Sequence, residues 1–177
     1  SIVCKLQTET DVTKVLDLMK EHESKYRMQA NLLLRLANLA FAKAKNRVRI
    51  ADERGIELVL EVMKRYKSNS DIQKYSCMCL VYLAWDNEKN QKTIAEKGGV
   101  EVIVAAMKEH PKVVEVQKNG GAALTNLARE NDDYKKTIAT LGGIEVLRNA
   151  TEIHFASNQI VWVILDSVLK EIEKCVY

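Results

Sequence analysis

The chain has 177 residues, 47% apolar and 29% charged, with a formal net charge of +3. Its lysines and arginines alternate with Asp and Glu, so no basic stripe suggests nucleic acid, and the longest uncharged apolar run, Ile160 to Leu165, is far too short to cross a bilayer. No secretion-signal pattern opens the sequence, and the cytoplasm, with the nucleus as alternative, is the expected compartment.

A 44-residue period orders the elements. Residues 1–10 read as a partial unit, followed by units 11–54, 55–98 and 99–142 and a terminal unit 143–177. Gly55, Gly99 and Gly143 open equivalent segments, and Asp11 occupies the same slot in the first unit. The ruler also fits Met19, Met63 and Met107; Gln29, Gln73 and Gln117; and Ala40, Ala84 and Ala128. A period of this length signals a solenoid, in which each unit buries its apolar face by stacking on its neighbours.

Within a unit the spacing predicts three helices. The first carries Val12, Val15, Leu16 and Met19, then Ile56, Val59, Leu60 and Met63, then Val100, Ile103, Val104 and Met107, all at i, i+3, i+4, i+7. Breakers end it at 67–71 and at His110-Pro111. A longer helix follows, burying Leu32, Leu36, Leu39 and Ala40 and their counterparts. A short third helix is anchored by Ile50, Ile94 and Ile138, introduced by Asn46 and Asn90, and closed by a glycine turn that needs backbone angles a side chain penalises. Gly120-Gly121 sits inside a long helix, where close packing against the preceding unit is expected. Residues 157–177 read as a last long helix whose register has slipped by a few residues, and the chain reads as a piece of a longer solenoid.

The run Asn90 to Ile103, with its Gly98-Gly99 turn, and the run Gly121 to Ala128 resemble the armadillo repeat. That resemblance implies an all-α, right-handed α-solenoid of about four three-helix units, forming one domain whose long helices line a concave groove for other proteins. It also implies that Asn38 and Asn126, with Tyr82 between them in register, stand where such grooves hold an asparagine that bonds the backbone of a bound peptide. Where nuclear-import receptors of that family place tryptophan, this chain has Leu34, Met78 and Ala122, so a receptor for nuclear-localisation signals is not implied.

Little in the sequence points to catalysis. His22, His110 and His154 share one repeat position with Tyr66 and read as surface histidines at helix ends, too far apart to share a metal ion. Cys4, Cys77, Cys79 and Cys175 read as small apolar thiols. No metal, cofactor or enzyme activity is expected. A binding face is expected instead: Tyr75, Met78, Tyr82 and Trp85 fall at i, i+3, i+7, i+10 on one long helix, and Lys74, Lys118 and Arg129 nearby point to a partner with some acidic character. The expected function is a protein-binding scaffold. The alternative is a regulatory or self-associating arm of a larger enzyme or GTPase-pathway protein, joined through Trp162 and Tyr177.

Overall fold

The computed structural model describes residues 11–129, 131–154 and 159–176; the expected partial unit 1–10 and Tyr177 lie outside the described residues. Among the described residues there are eleven helices and no strand. They are α1 (Val12–Glu21), α2 (Tyr26–Ala42), α3 (Ala44–Asp52), α4 (Gly55–Arg65), α5 (Ser70–Ala84), α6 (Glu88–Glu96), α7 (Gly99–Glu109), α8 (Val114–Ala128), α9 (Asp132–Thr140), α10 (Gly143–His154) and α11 (Gln159–Val176).

The apolar stripes read from the sequence form one continuous core. Every stripe position named for α1, α4 and α7 is buried, as are Leu32, Leu36 and Ala40 of α2 and Leu80, Leu83 and Ala84 of α5. The long helices stack side by side in the order α2, α5, α8, α11, while α4 packs on α7 and α7 on α10. Ile50, Ile94 and Ile138 anchor α3, α6 and α9 with no exposed surface.

Polar side chains at repeated positions knit the stack. The Gln29 amide donates to the carbonyls of Met19 and His22 at 2.7 and 2.9 Å. Gln73 does the same to Met63 and Tyr66, at 3.1 and 2.9 Å, and Gln117 to Met107 and His110, both at 2.9 Å. A helix end leaves carbonyls without intrahelical donors, and here the next helix supplies one. The repeated glutamine is therefore a side-chain cap.

Four sequence expectations need correction. The histidine position is not simply surface. Tyr66 Oη donates to the Glu23 carbonyl at 2.7 Å, while Nε2 of His110 bonds the Lys67 carbonyl at 2.8 Å and Nε2 of His154 the Pro111 carbonyl at 3.1 Å. Each contact reaches back one unit, and His154 is buried. Asn46 and Asn90 do not open the short helices: Asn87 and Asn131 cap α6 and α9, whereas Asn46 and Asn90 donate back to Leu39 and Leu83, both at 2.8 Å. The α11 register has not slipped, because Leu165, Val168 and Ile172 are buried one period after Gly121, Leu124 and Ala128. Neither Gly120 nor Gly121 packs against the preceding unit: Gly120 faces α7 of its own unit and Gly121 faces α11 of the next. A Cβ would lie 2.7 Å from Met107 Cγ at the former and 2.6 Å from Leu165 Cδ2 at the latter.

The glycine turn also divides its labour differently. The left-handed residue is the one before each repeated glycine: Gly98 at φ 80°, Gly142 at 79° and, in the first turn, Arg54 at 62°. Gly55, Gly99 and Gly143 are needed for closeness, since a Cβ there would sit 2.8, 2.7 and 2.7 Å from the carbonyl oxygens of Ile50, Ile94 and Ile138. No described helix is long and apolar enough to cross a membrane.

Candidate functional site

The long helices frame a depression of about 510 Å³ that receives side chains from all four: Phe41 from the end of α2, Tyr82 and Trp85 from α5 and its C-cap, Asn126 from α8, and Val163 from α11. Its apolar wall is an aromatic cluster. The Phe41 and Tyr82 rings are 5.0 Å apart and tilted, and Phe41 stacks on Trp85 at 6.4 Å with 19° between planes. Such pairs add about 0.5–1.5 kcal/mol beyond simple burial. The Arg47 guanidinium lies 5.5 Å from the Trp85 ring centre while donating to the Ala40 carbonyl at 3.2 Å, so it fixes the indole by a cation–π contact.

Local backbone presents this cluster. Trp85 is the first extended residue after α5, and Asp86 follows in the left-handed region at φ 50°. The chain turns sharply there, leaving Trp85 45% exposed; Phe41, at the end of α2, is 56% exposed. Large aromatics held this far into solvent cost hydration free energy that burial would recover.

The expected site residues divide between the depression and other places. Tyr82, Trp85 and Asn126 line it. Tyr75 and Met78 are, like Tyr82, half-buried and packed against the core, but neither lines the depression, so the predicted stripe contributes only its C-terminal half. Asn38 is exposed on α2. The Asn126 amide donates to the Val81 carbonyl at 3.0 Å, tying α8 to α5 rather than presenting that donor to a ligand. The basic residues are likewise engaged. Lys74 donates to Asp71 at 2.8 Å and lies 4.3 Å from the Tyr75 ring centre, and Lys118 pairs with Glu115 at 2.5 Å. Hydrogen bonding to Asp71 raises the Lys74 ammonium above the usual lysine range. Both lysines stand near the N-terminal ends of their helices, about 12 Å along α5 from Tyr82 for Lys74. The three basic residues therefore do not form one acidic-ligand site.

Arg129 is exposed and lines a polar bay of about 840 Å³ that meets the apolar depression at Asn126. Asp86, Glu88, Lys92 and Arg129 give the bay both signs of charge. Trp162 on α11 is half-buried and lies outside the residues lining either space.

Phe41 and Val163 were not singled out by sequence. Phe41 had a usable signal, since it occupies the repeat position of Trp85 and Arg129. Val163 had none, because its exposure depends on where α11 lies against α8. Among the described residues no group of three or more His, Cys, Asp or Glu is placed to hold a metal ion. Cys77 and Cys79 are buried, and the Cys79 thiol donates to the Leu33 carbonyl at 3.2 Å.

Three solved structures share this arrangement, all crystal structures of engineered proteins from a structural-genomics consortium. The first is 28% identical with a TM-score of 0.75, covering 93% of this chain and 63% of its own. The second is 26% identical with a TM-score of 0.75, covering 92% of this chain and 37% of its own. The third is 21% identical with a TM-score of 0.74, covers 95% and 70%, and speaks for the fold alone. The chain thus spans less than two thirds of the length of the first two. No curated protein matches it.

The family comparison overturns the armadillo resemblance: the family model that matches, over residues 28–122, is the spinocerebellar ataxia type 10 protein domain. The glycine turns and small-residue runs that carried the resemblance are explained by close approach between stacked helices, a demand of the geometry rather than a mark of one family. With more than half of its length matched, including Phe41, Tyr82 and Trp85, the chain belongs to the spinocerebellar ataxia type 10 protein domain family.

Proposed function

We propose that the chain is a non-enzymatic scaffold that holds an extended segment of a protein partner across its long helices, in the cytoplasm or nucleus, with Tyr82 and Trp85 as anchors. The observation that carries this reading is the Phe41–Tyr82–Trp85 cluster, exposed at Phe41 and Trp85 and half-buried at Tyr82, over an apolar depression that continues into a polar bay. An apolar side chain would displace water from the aromatic wall, and the polar residues beyond Asn126 would meet the peptide backbone. Tyr and Trp dominate binding hot spots because they bury large area at small entropic cost. Two of the bay's polar groups are already used in the fold: Asn87 and Asn131 accept from the Asn90 and Tyr134 amides, each at 3.0 Å, as helix caps.

The test is a displayed library of random peptides panned against the protein, with selected peptides measured against Tyr82→Ala/Trp85→Ala. Circular dichroism checks that helix content is unchanged. The double variant should lose about 2 kcal/mol or more, roughly thirtyfold in Kd. Equal binding by the variant would remove the depression as the site.

A second reading, self-association through the terminal helix, is favoured by exposed Val163 and Val176 on α11. It requires light scattering to show concentration-dependent association that Val163→Glu abolishes. A monomer at all concentrations would exclude it.

A further inference from the structure

The corner between α2 and α3 departs from the repeat in charge. Residues 41–51 hold Lys43, Lys45, Arg47 and Arg49 and no acid. The matching stretch 85–95 holds two acids and two lysines, and 129–139 holds three acids and three basic residues. Ala42 and Ala44 stand where the later units have Asp86 and Glu88, then Glu130 and Asp132. One corner therefore carries four positive charges in a chain whose net charge is +3.

The fold uses only part of that charge. Arg49 pairs with Glu53 at 2.8 Å and with Asp11 at 3.4 Å. Lys43, Lys45 and Arg47 have no ion pair among the described residues. Arg47 does make a structural bond, from its guanidinium to the Ala40 carbonyl at 3.2 Å. One unit later Gln91 makes the same bond to the Ala84 carbonyl at 2.9 Å. A neutral amide is enough for that task, so the arginine adds a charge and further N–H donors that the fold leaves over.

This surplus stands at the edge of the aromatic wall. The Arg47 guanidinium is 5.5 Å from the Trp85 ring centre, and Lys43 follows Phe41 by two residues, which limits their Cα atoms to about 7.6 Å apart. Lys43 and Arg47 are one helical turn apart, whereas Lys45 lies about 200° round α3 from Arg47, on the side of Arg49.

A charged rim selects the charge of what fills the depression beside it. Single-stranded nucleic acid also stacks on aromatics and meets basic side chains. Here, however, the depression meets at Asn126 the bay that holds Asp86 and Glu88, which would repel a continuous phosphate backbone. A peptide carries charge on one side of an apolar anchor and none on the other. Its carboxylate also matches the fork of an arginine.

On the scaffold reading, on which this rests, we propose that the partner segment is acidic on one side. Its apolar anchor enters the depression, and Asp or Glu residues within about three positions of that anchor pair with Arg47 and Lys43.

The probes are peptides selected by panning a random display library against the intact protein, each made again with Asp and Glu exchanged for Asn and Gln. A single-stranded DNA of about twenty nucleotides is measured beside them. Peptides that need Tyr82 and Trp85 should be enriched in acids close to the anchor, and their amide versions should bind about tenfold more weakly. Lys43→Glu and Arg47→Gln, the latter keeping the bond that Gln91 makes, should each weaken the acidic peptides by about three- to tenfold and leave the amide versions unchanged. Lys45→Gln should change neither by more than about twofold. Selected peptides that need Tyr82 and Trp85 but show no acidic bias, or that bind Lys43→Glu and Arg47→Gln as tightly as the original, would overturn this proposal and leave the scaffold reading standing. Peptides indifferent to Tyr82→Ala/Trp85→Ala would overturn both. DNA bound more tightly than the selected peptides would give the corner to nucleic acid instead.

Discussion

Arg54 holds a left-handed backbone that its two counterparts assign to glycine, with φ 62° against 80° at Gly98 and 79° at Gly142. A non-glycine residue there costs about 1 kcal/mol, partly offset because glycine also loosens the unfolded chain. Arg54→Gly should therefore raise stability by up to about 1 kcal/mol, its exposed Arg54–Glu57 pair at 3.6 Å contributing little. Gly99→Ala should do the opposite and lose about 2 kcal/mol, because its methyl group would meet the Ile94 carbonyl. Urea unfolding of the two variants checks both signs. The sequence marked both positions as glycine slots but could not say which one served backbone angle and which served closeness, since that depends on how near α6 comes to α7.

The thiols give a pH prediction at the same scale. Burial pushes the Cys77 thiol up from 9.0 to about 12, and burial, aided by Cys77, pushes Cys79 up as well. The folded thiols thus keep their protons above the pH at which unfolded thiols release them. Their stabilisation is complete below pH 9.0 and is lost as the pH rises toward 12. Unfolding free energy should fall as the pH rises from 9.0 toward about 12, and less steeply in Cys77→Ala, by up to about 1.4 kcal/mol per pH unit above the unfolded pKa. Equal slopes would show that Cys77 is not protected.

At the scale of the element, the recurring glutamine shows what apolar periodicity leaves out. Gln73 interrupts a buried face, yet its amide takes the Met63 and Tyr66 carbonyls at the end of α4. Gln73→Leu adds apolar surface but strands two acceptors, so it should destabilise by about 2 kcal/mol, measured by thermal or urea unfolding. A neutral or stabilising result would mean that water reaches those carbonyls. The three helices of each unit were legible because their stripes are local and repeated. The role of Gln73 was not, because its partners lie seven and ten residues away across a helix–helix turn.

Across the whole molecule, stacking converts a repeated sequence into surfaces of different character. The long-helix face is distinguished by departures from the repeat: Phe41 and Trp85 share a position with Arg129, and Tyr82 shares one with Asn38 and Asn126. Tyr82 and Trp85 could be read from the sequence as the aromatic exceptions in a long helix. Tyr75 and Met78 could not be separated from them, because helical spacing gives a face but not the depth at which a neighbouring helix covers it. The basic residues misled for a related reason: Lys74 and Lys118 find acids one turn away on their own helices.

The most direct measurement of the scaffold reading is methyl and indole NMR mapping of a peptide selected by panning onto the intact protein. Binding across the long helices should shift the Trp85 indole together with the Ala122, Thr125 and Val163 methyls, at one common Kd, because these groups line the same depression. Saturable binding that leaves those four signals in place would contradict it.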